Sequence, residues 1–256
     1  LIRVAYNYYA KFPKDSLHAR CMYYMGFYYS LNDSLERANY CLKEAQRTAK
    51  VQKDTATLCL AMARYSWVVR KTHPEAGLEY AKRVLGLYEK YSKRNVFNIV
   101  YNTLMVCECE NFCGNPRRAF SLAQQAEKNA LALGDSTVIS DVYQDMAYFA
   151  VSLGDKRSTH FALLSCRYSD TRFVSKRLML AKAYEKTGNY HECINLLDTL
   201  RLENNGQRYE AFAMRHRAAV KLNDPAALSY ADSAYHYIEA MFDDELCDKT
   251  IYFENL

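Results

Sequence analysis

Apolar residues recur along the chain at three- and four-residue steps, broken at a nearly constant beat by short polar segments carrying Asp, Asn, Pro or Gly. That periodicity predicts amphipathic α-helices. No segment alternates polar and apolar residues between turn signals, as a half-buried strand would. Helix starts are marked by residues whose side chains accept from free backbone N–H groups: Asp54, Asn95, Asp135, Asp155 and either Asp170 or Thr171. Asp33 with Glu36, and Asn189 with Glu192, have capping-box spacing. Pro74, Pro116 and Pro225 follow His73, Asn115 and Asp224, where proline suits a first helical turn. From Asp33 to Asp155 the start signals fall about 20 residues apart, room for helices of about 15–18 residues and short connections. The expected class is all-α.

Two helices per hairpin make a unit of about 40 residues, a spacing that calls for an internal repeat. Second helices align on residues spaced by four and three: Ala38/Leu42/Ala45, Gly77/Ala81/Val84, Ala119/Ala123/Ala126, Thr159/Leu163/Cys166, Cys193/Leu197/Leu200 and Ala227/Ala231/Ala234. Twelve positions earlier, first helices hold the small residues Gly26, Cys107, Ala147 and Ala181, whereas Tyr65 and Arg215 depart from the rule.

These positions resemble the tetratricopeptide repeat. Met22-x-x-Met25-Gly26-x-x-Tyr29, followed by Ala38, Leu42 and Ala45, carries the likeness best, and Leu180-Ala181-x-x-Tyr184 with Gly188 comes next. The proline expected near a repeat's end is missing. The resemblance covers residues 16–242 and implies about six antiparallel hairpins stacked into a right-handed α-solenoid, because one hairpin cannot bury its apolar face alone. Residues 1–15 read as the second helix of a truncated repeat and 243–256 as a C-terminal helix, all within one array over 1–256. The long hairpins resemble bacterial tetratricopeptide regulatory and envelope proteins. A start at Leu1 and an end near Ile251-Tyr252-Phe253 read as a piece of a longer chain.

Composition narrows the function. Half of the 256 residues are hydrophobic, and only 8 are Gly and 4 Pro, which excludes bulk disorder and collagen-like folds. The net charge of +5 is spread along the chain, so no nucleic-acid-binding face is expected. The 9 cysteines include no Cys-x-x-Cys; even Cys107, Cys109 and Cys113 read as small buried hydrophobes. Such usage fits a reducing, cytoplasmic compartment, whereas the family resemblance points to the cell envelope. No apolar run reaches membrane-spanning length. The 6 histidines never take metal-ligand spacing, and no phosphate loop, GxGxxG, GxSxG or HExxH occurs, so no cofactor or metal is expected.

The remaining candidate is the inner face of the array. Carried over from the resemblance, the first hairpin offers Arg20, Tyr23, Tyr24 and Phe27 and the third offers Tyr101, Glu108 and Asn111. The fourth offers Asp141, Gln144, Asp145 and Tyr148, and the fifth Lys182 and Glu185. Rings supply contact area and polar groups fix register, which suits a protein or peptide partner. Two alternatives stand beside this reading. One is a structural spacer or self-assembly element. The other is an enzyme in which Asp141 and Asp145, with Glu108 and Glu110 facing the same groove, act as a general acid/base pair, as carboxylates do in glycoside hydrolysis.

Overall fold

A computed structural model describes residues 2–9, 11–12, 14–32, 34–91, 94–170 and 173–254, with side chains between residues 4 and 242. Among them the helices are α1 (Ile2–Tyr9), α2 (His18–Leu31), α3 (Leu35–Gln52), α4 (Thr55–Val69), α5 (Pro74–Tyr91), α6 (Val96–Phe112) and α7 (Pro116–Leu133). There follow α8 (Ser136–Ser152), α9 (Ser158–Tyr168), α10 (Val174–Thr187), α11 (Tyr190–Asp198), α12 (Asn205–Leu222) and α13 (Ala227–Glu254). No strand occurs among the described residues. The chain divides into two compact units, residues 1–122 and 123–256, the division falling inside α7.

In the first unit each helix from α1 to α6 packs on the next. α2 also touches α4, and α4 touches α6, whereas α3 and α5 make no such contact among the described residues. The first helices of the hairpins, α2, α4 and α6, therefore line the inner side. Each second helix serves two neighbours. α3 gives Cys41 and Ala45 to a cluster with Met22, Met25 and Ala61, and Ala38 and Leu42 to one with Tyr65, Val68 and Val69. Gly26 lets the first hairpin close: a Cβ built there would lie 2.6 Å from Leu42 Cγ and 3.3 Å from the Ala38 carbonyl oxygen. In the second hairpin the close approach falls at Ser66, one residue past Tyr65. The Ser66 hydroxyl donates to the Gly77 carbonyl at 2.7 Å, and a Cβ on Gly77 would meet Ser66 O at 3.2 Å. Tyr65 instead packs against Tyr80, with ring centroids 4.8 Å apart and planes tilted by 58°.

The second unit repeats this logic. α8 touches α10 and α10 touches α12, so these three first helices share an inner side. Ser140 and Ser165 join α8 to α9 by reciprocal bonds, each hydroxyl donating to the other's carbonyl at 2.7 and 2.8 Å. Ala147, Ala181 and Cys193 are fully buried. Arg215 takes no small-residue slot: Ala211, Ala218 and Ala219 are the closely packed small residues of α12, while Arg215 lies over the Phe212 ring and pairs with Asp198 at 2.8 Å.

Caps follow the sequence where a side chain can reach forward to the first free backbone N–H groups. Asp54, Asn95 and Asp135 accept from Thr57, Asn98 and both Thr137 and Val138 backbone N–H groups. Other expected starts shift. Asp155 accepts from Arg157 N in a preceding turn and α9 begins at Ser158. Pro225 likewise precedes its helix, since α13 begins at Ala227. Asn189 stands at the N-cap of α11 but turns its amide to Thr187 Oγ1 at 3.1 Å. α12 is capped by Asn204, a signal absent from the beat. Asp33 and Thr171 lie outside the described residues. Cys21, Cys41, Cys59, Cys107, Cys109 and Cys193 are buried, Cys109 with its Sγ 3.5 Å from the Ser66 hydroxyl, whereas Cys113 is only half-buried; burial pushes the Cys41 and Cys193 thiols up to about 12.

Candidate functional site

On the inner side of the first unit, aromatic rings and guanidinium groups alternate across three helices. The Arg64 guanidinium of α4 lies 4.0 Å from the Phe27 ring centroid of α2 and 5.1 Å from that of Trp67. Arg70 lies 4.3 Å from the same Trp67 ring centroid and 5.9 Å from that of Phe112 of α6. The order Phe27–Arg64–Trp67–Arg70–Phe112 thus links three hairpins by cation–π contacts, each worth about 0.5–2 kcal/mol according to its exposure. Tyr23 extends the row, with centroids 6.3 Å from Phe27 and 5.1 Å from Tyr24. Burial pushes the Tyr23 phenol up, with Arg64 opposing it. Tyr24 stays open at 47% exposure.

The arginines differ in their partners. Arg70 Nε sits 2.6 Å from Glu108 Oε2, and an Arg70 amino group donates to the Trp67 carbonyl. Glu108 keeps 25% of its side-chain surface, but the oxygen against Arg70 is sealed from solvent. Burial therefore pushes its carboxyl above the usual carboxylate range, and the Arg70 charge offsets this only partly. Arg64 is half-buried; among the described residues no carboxylate pairs with it and no acceptor takes its N–H groups.

The thirteen sequence-derived residues fall into two groups. Seven lie in the first unit. Tyr23, Tyr24, Phe27 and Glu108 belong to the row; Arg20 is an exposed residue of α2; Tyr101 is two turns before Glu108 and pairs with Phe97 at 4.8 Å; Asn111 is half-buried on α6. Six lie in the second unit, where ion pairs join neighbouring first helices. Asp141 of α8 accepts from the buried Lys176 ammonium of α10. Lys182 lies 5.3 Å over the Tyr148 ring. Glu185 accepts both arms of the Arg217 fork at 2.8 Å. Gln144 and Asp145 are half-buried on α8.

Two expectations change. Glu108 and Glu110, two residues apart on a helix, do not face one groove. Glu110 is 1% exposed and turned to Lys82 Nζ at 2.8 Å, Arg118 Nε at 3.2 Å and the Asn115 amide at 3.2 Å. Glu185, expected as an open groove residue, is 7% exposed and engaged with Arg217. A recess of about 410 Å³ in the second unit is lined by Asp170, Phe173, Val174, Ser175, Glu203 and Gln207, and Asp141 and Asp145 are not part of it.

Glu185 carries a pH signature. Burial pushes its carboxyl up, but the Arg217 hydrogen bonds and charge outweigh burial and hold it below the usual carboxylate range. The pair then stabilises the fold above that range, about pH 4.3, and the contribution disappears as pH falls through the lower folded value. Urea midpoints of wild type and Glu185→Gln are expected to differ near neutrality and converge on acidification. A constant gap would show that the carboxylate is not held by Arg217.

Arg64, Trp67 and Arg70 were not among the expected groove residues, although one signal marks them. Arg64-x-x-Trp67-x-x-Arg70 places two cations one turn either side of the only tryptophan, on a single helix face. A register fixed on Tyr65 turned that face away.

Hairpins of antiparallel helices, closed by small residues and stacked so that the first helices adjoin, define the tetratricopeptide-repeat fold. Solved structures share it. The Rap protein complexed with competence and sporulation factor superposes with a TM-score of 0.66 at 16% identity, over 92% of this chain and 77% of that one. A signal transduction ATPase with numerous domains from Pyrococcus horikoshii, which carries a tetratricopeptide repeat sensor, gives 0.63 at 16% identity over 89% of this chain; the match spans 38% of that protein. PilF of Pseudomonas aeruginosa gives 0.54 at 15% identity, over 92% and 97%. No family model matches the sequence, and no curated protein matches it.

Proposed function

We propose that the chain is a non-enzymatic scaffold whose α2–α4–α6 face receives a segment of another protein, as the sensing or scaffolding part of a larger bacterial protein. One observation carries the reading: the Phe27–Arg64–Trp67–Arg70 row crosses two hairpins on the inner side and is only part-buried, with Tyr23 and Tyr24 beside it. Such rows offer large rigid contact area with polar edges that set register, as partner-binding surfaces require. The fold neighbours agree with it, since one was solved with a bound factor and another uses its repeats as a sensor. The residues of the second unit, Asp141, Gln144, Asp145, Tyr148, Lys182 and Glu185, would contribute mainly by holding α8, α10 and α12 in place.

The test is a crosslinking pull-down from native lysate with wild type and Trp67→Ala, both shown folded by circular dichroism. A partner held by wild type is expected to lose at least about thirtyfold in affinity on removal of a central tryptophan. Equal capture by both proteins, or self-crosslinks alone, would overturn the reading.

A further inference from the structure

We infer that Arg64 is a carboxylate-recognition point, so that the segment received by this face carries an acidic side chain beside apolar or aromatic residues. The inference rests on the groove reading above and specifies its occupant. A guanidinium stacked between two rings is held by its faces and leaves its five N–H donors at the edge. Phe27 and Trp67 supply those rings, at 4.0 and 5.1 Å. Arg70, 4.3 Å from the Trp67 centroid, already pairs with Glu108 and donates to the Trp67 carbonyl. Arg64 has no such partner among the described residues, though it is half-buried and its guanidinium is partly desolvated. A cation in that setting gains most from an anion brought by something else, and the planar fork matches a carboxylate in bidentate geometry.

The charge balance calls for an anion. The row holds two guanidinium groups against one carboxyl, Glu108, which also feels the Lys71 charge, so the face is net cationic. The planar fork of Arg64 matches a carboxylate in particular, and a phosphate dianion would meet Glu108 more strongly along the row. Tyr23, whose phenol feels the Arg64 charge, and the Tyr24 ring 5.1 Å from it favour apolar neighbours for the acidic residue.

The probe is an immobilised array of short peptides with one central Asp, Asn or phosphoserine among varied aromatic, aliphatic and polar neighbours; the hits are remeasured in solution by fluorescence anisotropy. Wild type is expected to bind Asp peptides about tenfold more tightly than their Asn counterparts. Arg64→Gln should equalise the two, and Arg64→Lys should restore only part of the preference, because an ammonium lacks the fork. Both variants are compared with wild type by circular dichroism, and the Asp-to-Asn ratio within one protein is insensitive to a general loss of fold. Equal binding of Asp and Asn peptides by wild type, a preference that survives Arg64→Gln, or a preference for phosphoserine would each overturn the inference. If peptides bind without carboxylate preference and Trp67→Ala abolishes that binding, the groove reading stands and Arg64 alone loses its role. If no peptide binds and lysate capture is unchanged by Trp67→Ala, both fall.

Discussion

Gly26→Leu is expected to destabilise the first unit by about 1–3 kcal/mol through overpacking. Even the first added atom is too close: an ideal Cβ lies 2.6 and 2.9 Å from Leu42 Cγ and Cδ2. Leu42 is 0% exposed and wedged between Tyr65, Val68 and Val69, so it cannot swing aside. The Ala38 carbonyl, 3.3 Å away, is backbone and cannot yield without moving α3. Opposing this, removal of a helical glycine returns up to about 1 kcal/mol of backbone entropy. Gly86 separates the two effects, because a Cβ there meets nothing within 4 Å. Gly86→Ala should therefore raise the thermal midpoint while Gly26→Leu lowers it. An unchanged midpoint for Gly26→Leu would mean that α2 and α3 do not close at this point.

Asp141→Ala should cost about 3 kcal/mol, the toll of leaving a buried charge without its partner. Lys176 is 5% exposed, and Asp141 accepts its ammonium from the neighbouring first helix. The reverse change should behave differently. Lys176→Met puts an apolar chain of similar length in the same space, and Asp141, at 31% side-chain exposure, keeps contact with water. Replacement of a buried ion by a hydrophobe is often neutral, so Lys176→Met is expected to stay within about 1 kcal/mol of wild type. Chemical denaturation of both variants checks the asymmetry. Equal losses would show that Lys176 is as well hydrated as its partner.

The helical class and most helix starts were legible because both are local. Asp54, Asn95 and Asp135 bond to backbone groups two or three residues away, and such signals lie wholly within a short stretch of sequence. The first hairpin was legible at Gly26, Ala38 and Leu42 for a similar reason: only a small residue admits that approach. Register in the second hairpin was not, since Ser66 and Tyr65 are adjacent and what distinguishes them, the hydrogen bond and close approach between Ser66 and Gly77, spans two helices. That one-residue slip hid the Trp67 face. The pairs Asp141–Lys176 and Glu185–Arg217 span 35 and 32 residues. Their choice of partner depends on how parallel neighbouring helices slide past each other, which no single helix encodes. The expectation for Glu108 and Glu110 failed on simpler grounds, because residues two apart on a helix face nearly opposite ways.

With the register set at Ser66, each of α2, α4 and α6 places a buried small residue immediately before a residue of the aromatic–cation row: Gly26 before Phe27, Ser66 before Trp67 and Cys107 before Glu108. Successive residues on a helix are about 100° apart around its axis. The first of each pair is fixed by helix closure, and the second is free of it. Substitutions at 27, 67 and 108 can therefore change what the proposed face recognises while the packing positions stay constant, and a combinatorial library confined to those positions would sample new specificities on the scaffold of the first unit.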